Sequence, residues 1–427
     1  MEPKKQIEIQ LGHLCNNRCV FCVSGQETAR GNAGVAEMGP VLAELERARA
    51  GGHAKVTLLG GEPTLQPGFL DVVRHAARLG FEEIVVFTNG ARTAREAFVD
   101  EIRAAGAGRV TWRISLQGAT KEAHERTTGK DGSFDRILRT LGALHARGER
   151  VTVNMCVVRS NYESVPAFPA LLLPFGVTQL HLDMVRPLDA GDRTEDELRA
   201  MIPRYSDMVS ALTEMVRGFP EGFDVNVGNL PYCVAPHLAR VIHHDGEPTL
   251  TVAVDGDGTQ SAPWDKYQVK RRDKIKPEAC SACALAPRCS GVFDAYRAFH
   301  GTAELRPITR EQLRALGLEG PAPAPPLPGG VARSIGVRLL RLRQRAPFGA
   351  LVWRDVTVTE GGARAEVAFD GPAGERATLW LTETAGRPAG GYRVDAGGAT
   401  AALVEGLREI MDALRVRPGP VARPAGS

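Results

Sequence analysis

Residues 55–90 read KVTLLGGEPTLQPGFLDVVRHAARLGFEEIVVFTNG. Two β-branched runs, 55–59 and 83–88, enclose the amphipathic segment 69–79, which is the pattern of a strand, a helix and a second strand. Each run ends in a glycine-containing turn, Gly60-Gly61-Glu62 after the first and Thr88-Asn89-Gly90 after the second. In parallel α/β folds ligands bind at the carboxyl ends of the strands, so we expect both turns at that edge.

The same alternation extends along the N-terminal half of the chain. Strands are predicted at 7–11, 55–59, 83–88, 109–116, 151–158 and 179–184, and helices at 40–50, 69–79, 94–104, 133–146 and 162–173. Strands that alternate with helices predict an α/β fold with a parallel sheet, either open and doubly wound or closed into a barrel. A long helix over 195–217 is expected to follow.

The composition is typical of a globular protein. Of 427 residues, 43% are hydrophobic and 24% are charged, and the formal net charge is +3. This small charge does not indicate nucleic-acid binding, and the short basic run 270–272 is interpreted as a solvated loop. Because no apolar signal segment follows Lys4 and Lys5, and no window is long enough to span a bilayer, we expect a cytoplasmic protein without a membrane partner.

The length favours two or three domains. We predict an α/β domain over 1–218, a cysteine-rich region over 219–310, a proline-rich linker over 311–330 and a small α+β domain over 331–427. Within the linker, the proline density of 320–330 favours an extended spacer. In the last domain antiparallel strands are predicted within 350–368, at 377–382 and at 391–394, and a closing helix at 400–414.

Three closely spaced cysteines follow the first predicted strand. Cys15, Cys19 and Cys22 are separated by three and two residues, which in a reducing compartment is typical of metal ligation rather than of disulfides. Three thiolates can hold one face of an iron–sulfur cluster and leave one iron open to a substrate or cofactor. The alternative is a structural zinc ion completed by a remote residue such as His13 or His53.

This loop resembles the hallmark of the radical S-adenosylmethionine superfamily, a C-x₃-C-x₂-C loop after the first strand with an aromatic residue, here Phe21, before the last cysteine. The resemblance covers roughly residues 6–187. It implies a partial (β/α)6 barrel and a [4Fe–4S] cluster on Cys15, Cys19 and Cys22. It also implies reductive cleavage of S-adenosylmethionine to a 5′-deoxyadenosyl radical that abstracts hydrogen from a substrate.

The resemblance further implies residues that bind S-adenosylmethionine. Gly60-Gly61-Glu62 resembles the family's GGE motif, whose glycines allow a close backbone approach and whose carboxylate meets the ammonium group of the cofactor. The other implied contacts are Asn89, Ser115, Gln117, Asn154 and Arg186. Two local alternatives stay open, because Thr88 and Asn89 also suit helix caps and Asn154 also suits a solvent-facing strand position.

A second cysteine group lies near the middle of the chain. Cys280, Cys283 and Cys289 form C-x₂-C-x₅-C, and Cys233 offers a fourth ligand for a closed site. The pattern is similar to part of the auxiliary SPASM and twitch domains of peptide-modifying radical enzymes, which implies a second [4Fe–4S] cluster. Because Phe293 stands where another cysteine is expected, one such cluster is favoured over two, with a structural zinc ion as the alternative.

Cys156 belongs to neither group. It lies on an apolar predicted strand, and we interpret it as a buried and inert cysteine.

Taken with the resemblance, these motifs favour a radical enzyme that matures a peptide or protein and receives electrons from a flavodoxin or ferredoxin. One alternative is radical oxidation or epimerisation of a sugar, nucleoside or other small metabolite. Another is a non-catalytic cluster protein that transfers electrons or binds a partner. Residues 331–427 suit a domain that binds a peptide, a partner protein or the other subunit of a dimer, and we interpret them as binding the substrate peptide or protein.

Overall fold

The structure is a computed structural model. It describes residues 5–244, 246, 249–254, 259–316, 335, 338, 339, 342, 351–359, 364–371, 374–384, 387–396 and 400–414. The chain divides into two compact units, Pro3–Thr309 and Arg310–Ser427, the latter together with Met1–Glu2. The proline-rich spacer predicted at 320–330 lies outside the described residues.

The larger unit is organised around one ten-stranded sheet, in the order β10-β9-β1-β2-β3-β4-β5-β6-β7-β8. Its strands are β1 (Gln6–Leu11), β2 (Lys55–Leu59), β3 (Glu83–Thr88), β4 (Val110–Ser115), β5 (Val151–Val157), β6 (Gln179–Met184), β7 (Asp224–Gly228), β8 (Ile242–His243), β9 (Thr249–Val254) and β10 (Trp264–Asp265). All neighbouring strands pair in parallel except β9 and β10. A separate two-stranded ribbon joins β11 (Lys274–Ile275) to β12 (Val292–Phe293).

Helices connect the strands of this sheet. They are α1 (Val23–Arg30), α2 (Met38–Ala50), α3 (Phe69–Arg78), α4 (Glu96–Gly106), α5 (Lys121–Thr128), α6 (Ser133–Ala146), α7 (Phe168–Leu172), α8 (Glu195–Met201), α9 (Tyr205–Gly218), α10 (Lys266–Arg272) and α11 (Asp294–His300). Among the described residues, no helix combines the length and the apolar character needed to cross a membrane.

The predicted α/β fold with a parallel sheet is confirmed. The first six predicted strands match β1–β6, because β-branched runs such as those of β2 and β3 are buried on both faces of a parallel sheet. Within the described residues the sheet stays open, with β10 and β8 at its two ends, as a partial barrel requires.

Two predicted helices are interrupted. The helix expected over 195–217 is divided into α8 and α9 around Pro203, since proline lacks the N–H that a continuous helix needs. The helix expected over 162–173 begins as the 3₁₀ helix Tyr162–Ala167, which contains Pro166, before α7. In both places proline ends the regular hydrogen-bond pattern.

The sheet also continues past the boundary predicted at residue 218. Strands β7–β10 lie beyond that residue, and β9 inserts beside β1 through six paired positions from Gln6 to Leu11. Part of the region predicted as a separate cysteine-rich segment therefore completes the main sheet. Long-range parallel pairing of this kind leaves no local signal in the sequence.

The smaller unit contains a four-stranded antiparallel meander of β13 (Val352–Thr359), β14 (Arg364–Asp370), β15 (Arg376–Thr384) and β16 (Arg387–Ala396). Two helices are described with it, α12 (Arg310–Ala315) and α13 (Ala401–Leu414). Trp353, Phe369 and Leu379 from the strands pack into one hydrophobic core with Leu407 and Ile410 from α13. The predicted α+β character of this unit is confirmed.

The core of the larger unit offers a direct stability test. Leu45 on α2 is fully buried, whereas the side chain of Leu188 is 65% exposed. Leu45→Ala is expected to lower the free energy of unfolding by about 2–5 kcal/mol, because it leaves a cavity, and Leu188→Ala by less than about 0.5 kcal/mol. Urea titration followed by circular dichroism measures both. Equal midpoints for the two variants would contradict the position assigned to Leu45.

Candidate active site

A cavity of about 470 Å³ lies where the carboxyl ends of several parallel strands meet, a volume typical of small-molecule sites. It brings together most of the residues singled out in the sequence: Cys15, Cys19, Cys22, Gly60, Gly61, Glu62, Asn89, Ser115, Gln117 and Asn154. Phe21 and Cys156 also line it. Residues far apart in the chain therefore form one site, because parallel strands end at the same edge.

The cysteine loop is fixed by its backbone. The N–H groups of Arg18 and Val20 donate to the carbonyls of Thr128 and Thr127, at 2.8 and 3.0 Å, which ties the loop to the end of α5. This anchoring leaves the thiol groups of Cys15, Cys19 and Cys22 at the cavity wall.

The first thiol of this loop has hydrogen-bond donors around it. Cys15 Sγ accepts the backbone N–H of Asn17 at 3.4 Å and the side-chain amide of Asn89 at 3.8 Å. Such N–H groups stabilise thiolates that bind a metal cluster. The donors around Cys15 therefore fit an iron–sulfur cluster.

Burial keeps the thiols of Cys15 and Cys19 protonated in the absence of a metal. It raises the pKa of Cys15 to about 12 and also raises the pKa of Cys19, and the neighbouring thiol of Cys22 adds to both shifts. Metal ligands must be thiolates, so cluster binding has to displace these protons.

The two glycines of the GGE motif allow backbone contact with the cysteine loop. Gly61 N–H donates to the carbonyl of Gly12 at 2.9 Å, and Glu62 N–H donates to that of Leu14 at 2.8 Å. A Cβ atom on Gly61 would lie 2.3 Å from Leu14 O and 2.4 Å from His13 O. We expected these glycines to let a ligand approach, and the structure shows that they let the loop after β1 approach.

Glu62 joins two loops of the site. Its side chain is 1% exposed, and its carboxylate accepts the Thr88 hydroxyl at 2.6 Å, the Asn89 N–H at 2.7 Å and two donors of Thr64. Burial raises the pKa of this carboxyl, and the hydrogen bonds to Asn89 and Thr64 oppose that shift. One described bond reaches Oε2, so this oxygen retains a lone pair for a ligand in the cavity.

Thr88 and Asn89 do not cap the next helix. Helix α4 starts at Glu96, with Arg95 at its N-cap. The hydroxyl of Thr88 instead donates to Glu62, and the side-chain amide of Asn89 donates to Asn16 Oδ1 at 2.7 Å. Both residues therefore organise the cavity wall.

Residues on and after strands β4 and β5 also line the cavity. Gln117 donates to Ser115 Oγ at 2.6 Å and accepts the N–H of Cys156 at 2.9 Å. Asn154 Oδ1 is buried without a hydrogen-bond partner among the described residues. An unpaired buried acceptor costs about 1–3 kcal/mol, so this oxygen fits a donor supplied by a ligand.

We expected Cys156 to be buried and inert, and the structure shows that it also lines the cavity. Burial alternates along β5, so Cys156 shares the cavity-facing side of the strand with Asn154. This same alternation places Asn154 at the cavity rather than in solvent. Cys156 lies next to the site, although its pKa is raised by burial.

Three other predicted side chains lie outside the cavity lining. The guanidinium of Arg186 is held by Asp189, at 2.8 Å, and by Asp273, an acid distant in sequence. His13 lies 2.9 Å from Ser24 Oγ, and the ring of His53 lies 2.9 Å from the carbonyl of Ala48. Neither histidine is placed as a fourth ligand beside the three cysteines.

The cavity also has a charged region that the motifs did not indicate. It is lined by Glu8, Arg113, Asp183, Lys266 and Lys270. Lys266 Nζ lies 2.8 Å from Glu8, and Lys270 Nζ lies 3.9 Å from Asp183. Burial raises the pKa of each carboxyl, but the positive charges of these lysines lower it by more. The net shift is downward, so both acids stay ionised.

One signal in the sequence could have revealed this region. Charged residues inside strands of a parallel sheet are unusual, since such strands are buried on both faces. Glu8 in β1 and Asp183 in β6 are of this kind. The run 270–272 was interpreted as a solvated loop, but it ends helix α10, and Lys270 lines the cavity.

The cysteines of the second group also lie close to one another in the structure. Cys233, Cys280 and Cys283 line a small cavity of about 40 Å³. Burial raises the pKa of Cys233 to about 12, and the thiols of Cys289, Cys283 and Cys280 add to this shift. Backbone N–H groups at 3.4 Å reach Cys283 Sγ and Cys289 Sγ. In the described parts of the chain, no three His, Cys, Asp or Glu side chains form a ready site for one metal ion.

Comparison with known proteins agrees with this geometry. The Radical SAM superfamily profile matches residues 9–169. A probable GTP 3′,8-cyclase of Saccharolobus islandicus (strain Y.N.15.51 / Yellowstone #2) is 30% identical over 260 residues, which are 60% of this chain and 81% of that protein. An AdoMet-dependent heme synthase of Methanosarcina barkeri (strain Fusaro / DSM 804) is 28% identical over 43% of this chain and 51% of its own length.

Among solved structures, Streptococcus suis SuiB bound to S-adenosylmethionine superposes with a TM-score of 0.49 at 13% identity, covering 71% of this chain and 76% of SuiB. The profile match spans the cysteine loop, the GGE turn and the ends of β3, β4 and β5, each of which contributes residues to the cavity lining. This chain is therefore an enzyme of the radical S-adenosylmethionine superfamily, which uses a [4Fe–4S] cluster and S-adenosylmethionine.

Proposed function

We propose that this enzyme matures a peptide or protein by abstracting a hydrogen atom from it. The observation that carries the proposal is that the cysteine loop, Glu62 and the unpaired amide oxygen of Asn154 line one cavity. When bound, the cluster and S-adenosylmethionine supply a 5′-deoxyadenosyl radical. Cys15, Cys19 and Cys22 would hold the cluster, and Glu62 Oε2 and Asn154 Oδ1 would accept hydrogen bonds from the cofactor.

Two features support a peptide or protein as the substrate. The first is the second cysteine group, which suits an auxiliary cluster like those of peptide-modifying radical enzymes. The other is the compact unit Arg310–Ser427, which has its own hydrophobic core and which we propose as the binding domain for the substrate. A flavodoxin or ferredoxin is the proposed electron donor.

The test uses the full chain, reconstituted anaerobically with iron and sulfide and reduced with dithionite. Purified enzyme is incubated with S-adenosylmethionine and with each small peptide encoded beside its gene, in deuterated water. The expected result is 5′-deoxyadenosine together with one peptide that loses a pair of hydrogens or takes up deuterium, detected by mass spectrometry. If every peptide stays unchanged while deoxyadenosine forms, the peptide assignment fails.

A small metabolite is the second candidate substrate, favoured by the 30% identity to a protein named as a probable GTP 3′,8-cyclase. The same assay with GTP in place of the peptides separates the two candidates. Conversion of GTP would replace the peptide assignment, whereas unchanged GTP beside a modified peptide would support it.

The second cysteine group is proposed to hold an auxiliary [4Fe–4S] cluster. Cys280→Ala/Cys283→Ala is expected to lower the iron content from about eight to about four per chain, because one of two four-iron clusters is lost. Iron and zinc are quantified by plasma emission spectroscopy. Cys156→Ala, which removes a cysteine outside both groups, is the matched control and should keep about eight irons. Wild-type protein with about four irons and one bound zinc would make the second site a structural zinc site.

A further inference from the structure

Arg113 occupies a distinctive position in the cavity. It lies on β4, where it shares a face with Ser115, and both residues line the cavity. Its guanidinium carbon lies 5.5 Å from the ring centre of Phe87, the residue paired with it on β3. An aromatic ring at this distance attracts the guanidinium through a cation–π contact.

The guanidinium of Arg113 has no hydrogen-bond or ion-pair partner among the described residues, and its Nε atom is buried. The other cations of this region differ, because Lys266 pairs with Glu8 and Lys270 lies 3.9 Å from Asp183. Arg113 is partly buried, and the Glu8 carboxylate acts on it electrostatically without a hydrogen bond or an ion pair. A ligand carboxylate would supply the direct partner that this guanidinium lacks. Arg113 is therefore the group in this region that fits an incoming anion.

The charge of the region narrows the chemistry of that anion. Arg113, Lys266 and Lys270 line the cavity together with Glu8, Glu62 and Asp183, so its arginine and lysine side chains equal the acidic ones in number. A cavity without an excess of positive charge matches one carboxylate better than a phosphate chain with several negative charges. The planar fork of arginine also matches the two oxygens of a carboxylate.

We propose that Arg113 binds a carboxylate of the substrate and so sets which carbon faces the cofactor. Because Arg113 and Ser115 are two residues apart on one face of β4, their Cα atoms are about 6.6 Å apart along the strand. The bound carboxylate thus lies next to the implied cofactor position. This inference rests on the proposed function and deepens it: the modified peptide carries an acidic side chain near the reacting C–H.

The test measures peptide binding by saturation-transfer NMR with the reconstituted enzyme and S-adenosylmethionine. The probes are acetyl-Gly-Glu-Gly-amide and the matched acetyl-Gly-Gln-Gly-amide, with inorganic phosphate and GTP as competing anions. The glutamate peptide is expected to bind wild type about tenfold or more tightly than the glutamine peptide, as for a charge-assisted bidentate contact. Arg113→Gln should remove this preference, and Arg113→Lys should retain part of it.

Arg150→Gln is the matched control, because the side chain of Arg150 is 72% exposed and does not line the cavity. It should keep the wild-type preference. Equal binding of both peptides to wild type, or an unchanged preference in Arg113→Gln, would overturn the proposal. So would weaker binding of S-adenosylmethionine alone to Arg113→Gln, since Arg113 would then hold the cofactor. Arg113-dependent binding of phosphate or GTP in place of the glutamate peptide would refute the carboxylate assignment.

Failure of the proposed function has a different signature. If wild type makes no 5′-deoxyadenosine but distinguishes the two peptides through Arg113, the carboxylate site stands and the radical chemistry fails. If deoxyadenosine forms but no peptide preference exists, the carboxylate site fails and the radical chemistry stands.

Discussion

The variant Cys15→Ala/Cys19→Ala/Cys22→Ala is expected to form no 5′-deoxyadenosine above the background of a protein-free reaction. These three thiols line the cavity, and Cys15 is surrounded by N–H donors that suit a cluster ligand. Without the thiols, no cluster can deliver an electron to S-adenosylmethionine. The variant should also retain about four of about eight irons, because the second cysteine group stays intact.

Deoxyadenosine is quantified by chromatography, and iron by plasma emission spectroscopy, in the same anaerobic samples. Cys280→Ala/Cys283→Ala serves as the matched control, since it removes cysteines from the other group and should still yield deoxyadenosine. Deoxyadenosine formation by the triple variant at the wild-type rate would show that the cofactor is cleaved elsewhere. Loss of all iron from the triple variant would show that the two cysteine groups do not hold separate clusters.

The parts of the fold that the sequence predicted are those encoded locally. Strands β2 and β3 are short β-branched runs between glycine turns, and the spacing of Cys15, Cys19 and Cys22 requires only one loop. Their common location follows from a general property of parallel sheets rather than from any single residue. This explains why the sequence alone places the cysteine loop and the GGE turn at one edge of the sheet.

The parts that could not be predicted depend on contacts between distant residues. Arg186 is polar and follows β6, as a cofactor contact would, but it pairs with Asp273 from another part of the chain. Lys270 reaches the cavity because β9 inserts beside β1 and brings the following helix with it. Sequence patterns report neither the partner of an arginine nor the order of strands in a sheet.

Gly61 shows how a motif can be recognised while its physical role is missed. The pair Gly60-Gly61 was assigned to ligand approach, yet the nearest atoms to a Cβ on Gly61 belong to the backbone of His13 and Leu14. These atoms precede Cys15 directly. The glycine therefore sets the distance between the turn after β2 and the cysteine loop.

We expect Gly61→Ala to reduce deoxyadenosine formation by about a hundredfold or more, because displacing a catalytic group by about 1 Å can cost that factor. A Cβ atom would lie 2.3 Å from Leu14 O, and backbone atoms cannot rotate away as a side chain can. The hydrogen bond from Glu62 N–H to the same carbonyl would break as the loops separate. Deoxyadenosine formation and iron content are measured together on the reconstituted protein.

Gly39→Ala provides the matched control for this substitution. Gly39 lies on α2, and a Cβ atom there would meet nothing within 4 Å. The rate of deoxyadenosine formation and the iron content of Gly39→Ala should therefore equal those of wild type. A thermal unfolding curve of each variant separates a displaced loop from an unfolded unit, since only the former keeps a cooperative transition near that of wild type. If Gly61→Ala loads iron and cleaves the cofactor like Gly39→Ala, the close contact between the two loops does not position the cluster, and the glycines would regain their assignment to ligand approach.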